Sequence, residues 1–417
     1  MNLEEELKAL LLSEADASIP LCRSLVRIPS EDPPGDTRDI AGFINGYFRS
    51  AGVSSEIIAP VEDLPNVVAT VCGGLPGPHV VFNGHMDTFP AGDRKRWNHD
   101  PFGGEISEGR LYGRGAADMK GGLAASIVSV VLLNRIRDRL PGKVSITCVS
   151  NEEVFGPWGS QFLLKTRPEI RGDALINGEP SSLGNVRVGE KGQYWFRFQC
   201  KTGGGHGAYS SLKPSAILDL AKLLEALSEY AHMPLKVPAN VREMMMEAKA
   251  SYDELLCPGA TEAALRPSVN IGTISGGMTV NMIAEQCTAE VDFRLPPGTS
   301  GEDLRQWIRK TANKFPNCSM EEFNSYDAFL TDPAEKLVRI ARKTAEEVVQ
   351  KPVHTTFSLG GTEARLWRQA GTPAITFGPN HHNMGSPDEY VEAEELPQVV
   401  RVHALTALRF LLQEGTD

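Results

Sequence analysis

The stretch HVVFNGHMD, residues 79–87, constrains the fold most, because a short apolar run ends directly in a histidine and an aspartate. The runs KVSITCV, DALIN and TPAITF also end near polar residues, and helical patterns such as LAASIVSVVLLNRIRDRL (123–140) separate such runs. Buried strands that alternate with helices are typical of an α/β fold in which both faces of the sheet are covered. The sequence therefore predicts an α/β domain with a mostly parallel sheet.

The pattern changes near residue 188. GQYWFRFQC and the later CTAEVDFRL alternate apolar and polar residues, as antiparallel strands with one solvated face do. The α/β pattern resumes after DFRLPPGTS. We therefore expect a larger domain formed by residues 1–188 and 300–417, interrupted by a smaller α+β domain at 189–299.

Length and charge narrow the class of protein. A chain of 417 residues is long for a single hydrophobic core, which agrees with two domains. Its formal net charge of -11 provides no general attraction for nucleic acid or anionic membranes, so we expect neither as a partner. No apolar run approaches the ~18 residues of a membrane helix, and the acidic start MNLEEELKALLL does not resemble a secretory signal.

The seven cysteines are scattered, odd in number and without a CxxC pair. This excludes a recognisable cysteine zinc site and shows no sign of a disulfide framework. A reducing compartment follows, so we expect a cytoplasmic protein.

Several polar residues stand just past predicted strands. His85 and Asp87 are two positions apart, so on a strand both side chains point to one face and the carboxylate can orient the imidazole. Asp118 lies in the loop YGRGAADMKGG, which has neither the GxGxxG spacing nor the GK[ST] ending of a nucleotide loop. Taken alone, an HxD pair or an Asp before a helix is more often a surface feature or a helix cap.

Further ligand candidates follow other strands, namely Glu152, Glu153, Glu179, His381 and His382. Each is weak in isolation, since an EE pair is usually an exposed acidic turn. Open α/β sheets, however, place their sites past the carboxyl ends of the strands. Oxygen and nitrogen ligands without thiolate suit zinc, manganese or cobalt, and a shared aspartate suits a two-metal site. We therefore predict a metal site.

The motifs GHMDT, GRGAADMKGG, NEE, GEP, LGGTEAR and FGP occur in this order, within a match that runs from about residue 20 to about 410. This order resembles the zinc-dependent deacylases and peptidases that include acetylornithine deacetylase, succinyl-diaminopimelate desuccinylase and carboxypeptidase G. The resemblance implies a catalytic α/β domain interrupted by a lid domain that often dimerises. A homodimer is therefore expected.

The resemblance also implies residue roles. His85, Asp118 and Glu179 would hold one metal, and Asp118 would bridge to a second held by Glu153 and a late histidine. Glu152 would be the general acid/base that acts on metal-activated water, and Asp87 would orient His85. The resemblance further implies residues that contact the oxyanion or a substrate carboxylate. These residues are His206, Asn281, Arg294, Gly361 and Arg365.

Two departures from the family pattern leave alternatives open. The last histidine should stand four residues before Glu389, but that position is Gly385. We assign the role to His382, with His381 as the alternative, and a single-metal site follows if neither reaches. The segment VFGPWGS after the paired glutamates also places Phe155 and Trp158 near the site, where they could flank an aromatic or bulky group or simply pack under the loop.

The predicted function is a metal-dependent hydrolase with one or two Zn, Mn or Co ions. It would cleave an amide C–N bond in a small N-acyl amino acid, dipeptide or related carboxylate. An alternative is hydrolysis of a non-peptide C–N bond, as in aromatic amine deamination or cleavage of a formamide or carbamate. A third interpretation is a non-catalytic ligand-binding relative. Glu152 and Asp87 argue against it, because pure binding needs neither a general base nor a residue that orients a metal ligand.

Overall fold

The computed structural model describes residues 2–413, and in it the chain forms two compact units. The first unit contains the chain up to Val188, then Thr331–Thr356 and everything from Thr362. The second unit contains Gly189–Leu330 and the short return Phe357–Gly361. The chain therefore enters the second unit twice.

Helices and strands alternate along much of the chain. Up to residue 190 they are α1 (Leu3–Glu14), α2 (Ser18–Val26), α3 (Arg38–Ser50), β1 (Ser54–Ile58), β2 (Asn66–Cys72), β3 (Leu75–His85), β4 (Ile106–Ser107), β5 (Arg110–Tyr112), α4 (Gly121–Arg135), β6 (Pro141–Val149), α5 (Ser160–Thr166), β7 (Ala174–Asn177) and β8 (Asn185–Glu190). The next set is β9 (Gly192–Lys201), β10 (Gly205–His206), α6 (Ala216–Ser228), α7 (Ala239–Glu247), α8 (Lys249–Leu255), α9 (Ala260–Ala264), β11 (Ser268–Gly276), β12 (Met282–Ile283), β13 (Gln286–Leu295), α10 (Gly301–Ala312) and β14 (Cys318–Tyr326). The last set is α11 (Lys336–Val349), β15 (His354–Ser358), α12 (Ala364–Gln369), β16 (Ala374–Thr376), β17 (Tyr390–Glu392) and α13 (Glu395–Leu411).

The first unit is built on an eight-stranded sheet in the order β1-β2-β6-β3-β7-β16-β8-β15. Its central strands β6, β3, β7 and β16 are parallel, whereas β1, β2 and β8 join by antiparallel pairing. All four residues of β7 are buried, as expected for a strand covered on both faces. The predicted α/β class is confirmed.

Helix α4 is the buried helix of the first unit. It packs against α2 and α13, and nearly every one of its residues is buried. The stretch Ala116–Arg135 is long and apolar enough to cross a membrane by length and composition, contrary to our interpretation of the sequence. However, 89% of its most apolar window is buried inside the protein, as in the core helix of a folded domain.

The second unit has a four-stranded antiparallel sheet in the order β11-β13-β9-β14. Burial alternates along β13, as its sequence predicts, and helices α6 and α10 cover the inner face. The core of this unit contains the aromatic residues Tyr194, Phe196, Phe198, Tyr230 and Phe293.

The expected return to the larger domain after residue 299 is wrong. Helix α10 and strand β14 belong to the second unit, because β14 pairs with β9 over its length and α10 packs its apolar face into the same core. The return lies at Leu330/Thr331. The expectation of no disulfide is also not met, since Cys200 and Cys318 are direct partners on β9 and β14 and form a disulfide.

Candidate metal centre

Three neighbouring strands of the first unit end at the same edge of the sheet. His85 is the last residue of β3 and pairs with Val149, the last residue of β6. On the other side of β3, Asn83 pairs with Asn177, the last residue of β7. Because these strands are parallel and in this register, the segments that follow them, with Glu152, Glu153 and Glu179, emerge beside His85. The predicted convergence of these side chains follows from strand register.

Asp118 reaches the same place from a different element. It lies in the kinked helical turn Ala116–Lys120 that precedes α4, and its own backbone is not helical (φ -118°, ψ 97°). Helix α4 begins next to the β7 end: a Cβ added at Gly122 would lie 1.7 Å from the Gly178 carbonyl oxygen. Only glycine permits this approach, so the start of α4 fixes Asp118 close to Glu179.

The imidazole of His85 lies at the centre of the group. Its Nε2 is 3.2 Å from Asp118 Oδ1, 3.3 Å from Glu179 Oε1 and 4.0 Å from Glu152 Oε2. Two sets of ligand atoms, each within 4.8 Å of one another, share this histidine: one with Glu152 and Glu179, the other with Asp118 and Glu153. Five of the predicted site residues are thus brought together.

Burial of so many carboxylates strongly perturbs their proton affinity. Burial raises the pKa of Glu152 well above its ordinary value, and burial together with Asp118 raises that of Glu179 to about 7. Burial likewise raises the pKa of Glu153, with Asp118 adding to the effect. Burial would lower the pKa of His85, but the carboxylates of Glu179 and Asp118 outweigh it and raise that pKa well above its usual value. Charged carboxylates at this density are costly to bury, and a bound divalent cation would stabilise their charged forms.

These residues fit divalent metal ions. An imidazole nitrogen and several carboxylates, without thiolate, form a donor set that suits Zn, Mn or Co, and His85 belongs to both ligand groups. His85 Nδ1 is 2.9 Å from the Asp87 carbonyl oxygen, which leaves Nε2 facing the carboxylates. That hydrogen bond fixes the tautomer that a metal ligand needs.

Asp87 differs in detail from the prediction. Its backbone carbonyl, not its carboxylate, accepts from His85 Nδ1, while its Oδ1 lies 3.8 Å from that nitrogen. The other carboxylate oxygen, Oδ2, accepts the Glu153 backbone N–H at 3.0 Å. The carboxylate therefore ties the Glu152–Glu153 loop to the end of β3, and residue 87 supports both sides of the site.

The loop after β6 carries the glutamates and an aromatic ring. Glu153 Oε1 accepts the Phe89 backbone N–H at 3.0 Å. Phe155 adopts a left-handed backbone (φ 51°), and the Arg365 guanidinium lies 5.1 Å from the centre of its ring. Arg365 is buried and acts electrostatically on Glu152, so an aromatic ring and a cation stand close to the predicted general base. Trp158 is 40% exposed, and its carbonyl oxygen accepts from Asn66.

The two candidates for the last ligand, His382 and the alternative His381, have different surroundings. The His382 ring stacks on Tyr390, with centroids 4.4 Å apart, and its charged neighbours are Glu392 and Arg110. His381 is the more buried imidazole, and Asp118 is among the charges that act on it. His381 is therefore the better candidate. Within the part of the chain that the structure describes, neither histidine belongs to the compact ligand groups around His85.

The other predicted substrate contacts lie in the second unit. His206 is exposed on the short strand β10, which pairs with β12, and Gly207 donates its N–H to the Asn281 carbonyl oxygen. His206 and Asn281 therefore lie close to each other. Arg294 on β13 donates to both oxygens of Asp292, and Gly361 is partly exposed between β15 and α12.

Three buried residues of the first unit were not predicted as part of the site. Glu389 was used only to count positions, yet its carboxylate accepts the Asp118 backbone N–H and pairs with Arg114. Glu363 accepts from Asn83 on β3 and from the Ser160 backbone N–H. Arg114 and Glu363 could have been suspected from the sequence, because they lie inside the motifs GRGAAD and GGTEAR.

The sequence is similar to succinyl-diaminopimelate desuccinylases along nearly its whole length. It is 28% identical over 406 residues to succinyl-diaminopimelate desuccinylase of Methylorubrum populi, which covers 94% of this chain and 98% of the relative. The desuccinylase of Cereibacter sphaeroides is likewise 28% identical, over 92% of this chain and 96% of the relative.

Solved structures share the fold. The M20 metallo-carboxypeptidase Sso-CP2 of Sulfolobus solfataricus has a TM-score of 0.80 at 17% identity and covers 95% of this chain and 99% of its own. Human carnosine dipeptidase 1 has a TM-score of 0.78 at 16% identity, with 99% of each chain covered. A Bacillus subtilis protein described as a dinuclear metal binding peptidase has a TM-score of 0.69 at 16% identity, with 97% and 99% covered.

The family assignment rests on the sequence itself. The pattern of peptidase family M20/M25/M40 matches residues 81–409, which include every first-unit residue predicted for the site. The resemblance inferred from the motifs is confirmed. The chain therefore belongs to peptidase family M20/M25/M40 and is a hydrolase of amide C–N bonds.

Proposed function

We propose that the protein cleaves the amide bond of a small N-acyl amino acid that carries a free carboxylate. One observation carries the proposal: Asp118, Glu152 and Glu179 converge on a single imidazole nitrogen, that of His85, at the end of a parallel sheet. The named desuccinylases, which are similar over nearly the whole chain, support an N-acyl amino acid as substrate.

Each residue has a chemical task in this reaction. His85, Asp118, Glu153 and Glu179 would hold one or two of the ions Zn, Mn or Co. Bound divalent cations acidify water and stabilise negative charge on oxygen. Glu152 takes the proton from the attacking water and delivers it to the leaving nitrogen, which burial and a raised pKa favour.

Arg365 would bind the substrate carboxylate. A planar guanidinium pairs with a carboxylate through two parallel hydrogen bonds, and Arg365 is one of the cations that act on Glu152. A carboxylate held there lies near the general base.

The test is replacement of the base by its amide. Glu152→Gln keeps the shape of the side chain but cannot accept a proton, so kcat should fall by about 10²–10⁴-fold while the metal content stays close to that of the wild type. Turnover of N-succinyl and N-acetyl amino acids would be followed with added Zn, Mn or Co. Glu169→Gln is the matched control, because Glu169 is an exposed carboxylate that pairs with Arg167. Unchanged turnover in the Glu152 variant would refute the proposal.

A second substrate preference is favoured by Phe155. Its ring lies over Arg365, so an aromatic group on a bound substrate could stack beside the carboxylate site. This keeps substrates with an aromatic ring, including aromatic amines, as the alternative. Phe155→Leu retains apolar bulk and removes the ring, and it should raise KM for aromatic substrates alone. An equal effect on aliphatic substrates would contradict the stacking role.

We also propose a homodimer formed through the second unit. Strand β11 is an edge strand that is exposed along nearly its whole length. Exposed apolar side chains crowd this unit, and Ile217 approaches Gly277 at the end of that strand. Such edges and patches are usually covered by a partner. The side chains concerned are Tyr209, Leu212, Ile217, Leu218, Ile271, Ile274, Met278, Val280 and Met282.

His206 would contribute to catalysis from within this assembly by supporting the oxyanion. Sedimentation of the wild type and of Ile274→Lys would test the dimer, since a charge on a covered edge strand should produce monomers. A wild-type protein that sediments as a monomer at micromolar concentration would refute it.

We further propose a cytoplasmic location. Five cysteines are free, and exposed Cys72 and Cys257 are compatible with a reducing environment. The Cys200–Cys318 pair should then be reduced in the cell. Alkylation in cell lysates should label seven thiols, and recovery of five would place the protein in an oxidising compartment.

A further inference from the structure

The buried ion pair Arg114–Glu389 lies next to the Asp118 loop and has no role in the proposed reaction. Arg114 and Glu389 pair with only 2% and 1% of their side chains exposed. Withdrawing two charges from water costs several kcal/mol per ion, and an apolar pair of similar size often packs as well or better. The pair therefore calls for an explanation other than stability.

Glu389 holds the segment that carries Asp118. Its Oε1 accepts two consecutive backbone N–H groups, from Ala117 at 3.0 Å and from Asp118 at 3.1 Å. Two donors on one oxygen fix the peptide planes on the N-terminal side of Asp118. The direction in which the Asp118 carboxylate leaves the backbone is set by this contact.

Arg114 holds the segment that carries His381. Its Nη1 binds Glu389, and its Nη2 donates to the Gly385 carbonyl oxygen at 3.2 Å. The Gly113 N–H donates to the Glu389 carbonyl oxygen at 2.9 Å, and the guanidinium lies 5.1 Å from the Trp97 ring centre. The guanidinium is thus fixed on several sides and connects residue 385 to the Asp118 loop.

We infer that Arg114 and Glu389 are positioning residues that hold the Asp118 loop and the 381–389 loop in register, so that the two loops together complete the metal centre. The inference rests on the proposed metal centre and adds residues that contact no metal. Apolar side chains could fill the same volume, but they could neither accept two N–H groups nor donate to a carbonyl oxygen. Mutation of residues that hold metal ligands in place commonly changes metal affinity by about 10–100-fold.

The paired strands β5 and β17 offer a matched control. Glu392 on β17 pairs with Arg110 on the neighbouring strand β5, at 3.2 Å and with both side chains about one-third exposed or more. The chemistry and the location in sequence are therefore nearly the same. The difference is that this pair lies at the surface.

The experiment is a calorimetric titration of the metal-free protein with Zn, together with metal content and steady-state kinetics. Glu389→Gln keeps an oxygen for the two N–H groups but loses the ion pair, and Arg114→Lys keeps the charge but loses the fork. Both should weaken Zn binding by about 10–100-fold, and excess Zn should restore kcat with KM for substrate unchanged. Glu392→Gln should bind Zn like the wild type.

The outcomes separate the two proposals. A wild-type protein without bound metal would refute the proposed metal centre. A wild-type protein that binds Zn, with unchanged affinity in Glu389→Gln and Arg114→Lys, would overturn only the inference. Thermal unfolding of the metal-free forms distinguishes positioning from folding. If neither variant folds, or if both lose stability without losing Zn affinity, the pair has a structural role and the inference is wrong.

Discussion

His381 and His382 are neighbours in the chain, but their rings meet different surroundings. Asp118 acts on His381, whereas His382 stacks on Tyr390. A stacked ring has its face engaged by the neighbouring ring and is held parallel to it, within 5° in this pair. The two residues therefore differ in their access to the metal centre.

The first prediction separates them. His381→Ala should lower the metal content of the purified protein, because of the two adjacent imidazoles His381 is the one on which Asp118 acts. His382→Ala should leave the metal content unchanged and reduce stability slightly. Inductively coupled plasma measurements on both variants would decide, and the opposite pattern would restore His382 as the ligand.

His403 predicts how stability depends on pH. It is fully buried, its Nε2 donates to the Phe377 carbonyl oxygen at 2.7 Å, and its Nδ1 faces the Ser126 hydroxyl. Burial lowers the pKa of His403 to about 4, although the Phe377 hydrogen bond acts in the opposite direction. In the unfolded chain this histidine has a pKa of about 6.5, so between these two pKa values it is protonated in the unfolded state and neutral in the folded state.

The free energy of unfolding should thus decrease as the pH falls from about 6.5 to about 4, by on the order of 3 kcal/mol from this group. His403→Gln cannot titrate, so its unfolding free energy should fall less steeply over that range. Urea denaturation at several pH values measures both slopes. Parallel curves for the two proteins would contradict the prediction.

At the level of elements, the close approach of α4 to the end of β7 links packing to the site. Gly178 precedes Glu179, and Gly122 lies in the first turn of α4. The added Cβ would meet backbone atoms, which cannot rotate away as a side chain can. Helix position and ligand position are therefore coupled at this contact.

Gly122→Ala should destabilise the protein by about 3 kcal/mol or more and weaken metal binding, because either α4 or the Glu179 segment must move. Gly46→Ala is the control: it lies in α3, no atom would come within 4 Å of the new Cβ, and alanine favours helix by roughly 0.5–1 kcal/mol. Thermal unfolding and Zn titration measure both effects. Equal stability of the two variants would contradict the packing argument.

At the scale of the whole molecule, the first unit concentrates negative charge at one edge of its sheet. Glu152, Glu179 and Asp87 are buried there, and the protein as a whole already carries a net charge of -11. Burial and mutual repulsion disfavour the charged forms of these carboxyl groups, whereas a bound cation would favour those charged forms. Stability should therefore depend on metal.

Removal of metal by chelation should lower the unfolding temperature, and added Zn should raise it with concentration. Binding to the folded state alone adds about 2.7 kcal/mol when the free metal is at 100 times its Kd. Scanning calorimetry across a Zn series, with Mg as the control cation, tests this. An unfolding temperature that does not respond to chelation would contradict a metal held by these carboxylates.

The sequence by itself determined the α/β class and placed five candidate site residues past strand ends or in the loop before a helix, because these follow from local periodicity and from the parallel-strand rule. Their division into metal ligands and a general base came from the family resemblance. His85, Glu152, Glu153 and Glu179 could be found in this way, with Asp118 from its loop. Tertiary structure alone decided which of two adjacent histidines approaches Asp118, that α10 and β14 belong to the second unit, and that Glu389 supports the site. These outcomes depend on contacts between residues as far apart as Asp118 and Glu389, and local pattern does not encode which distant backbone groups a buried side chain will meet.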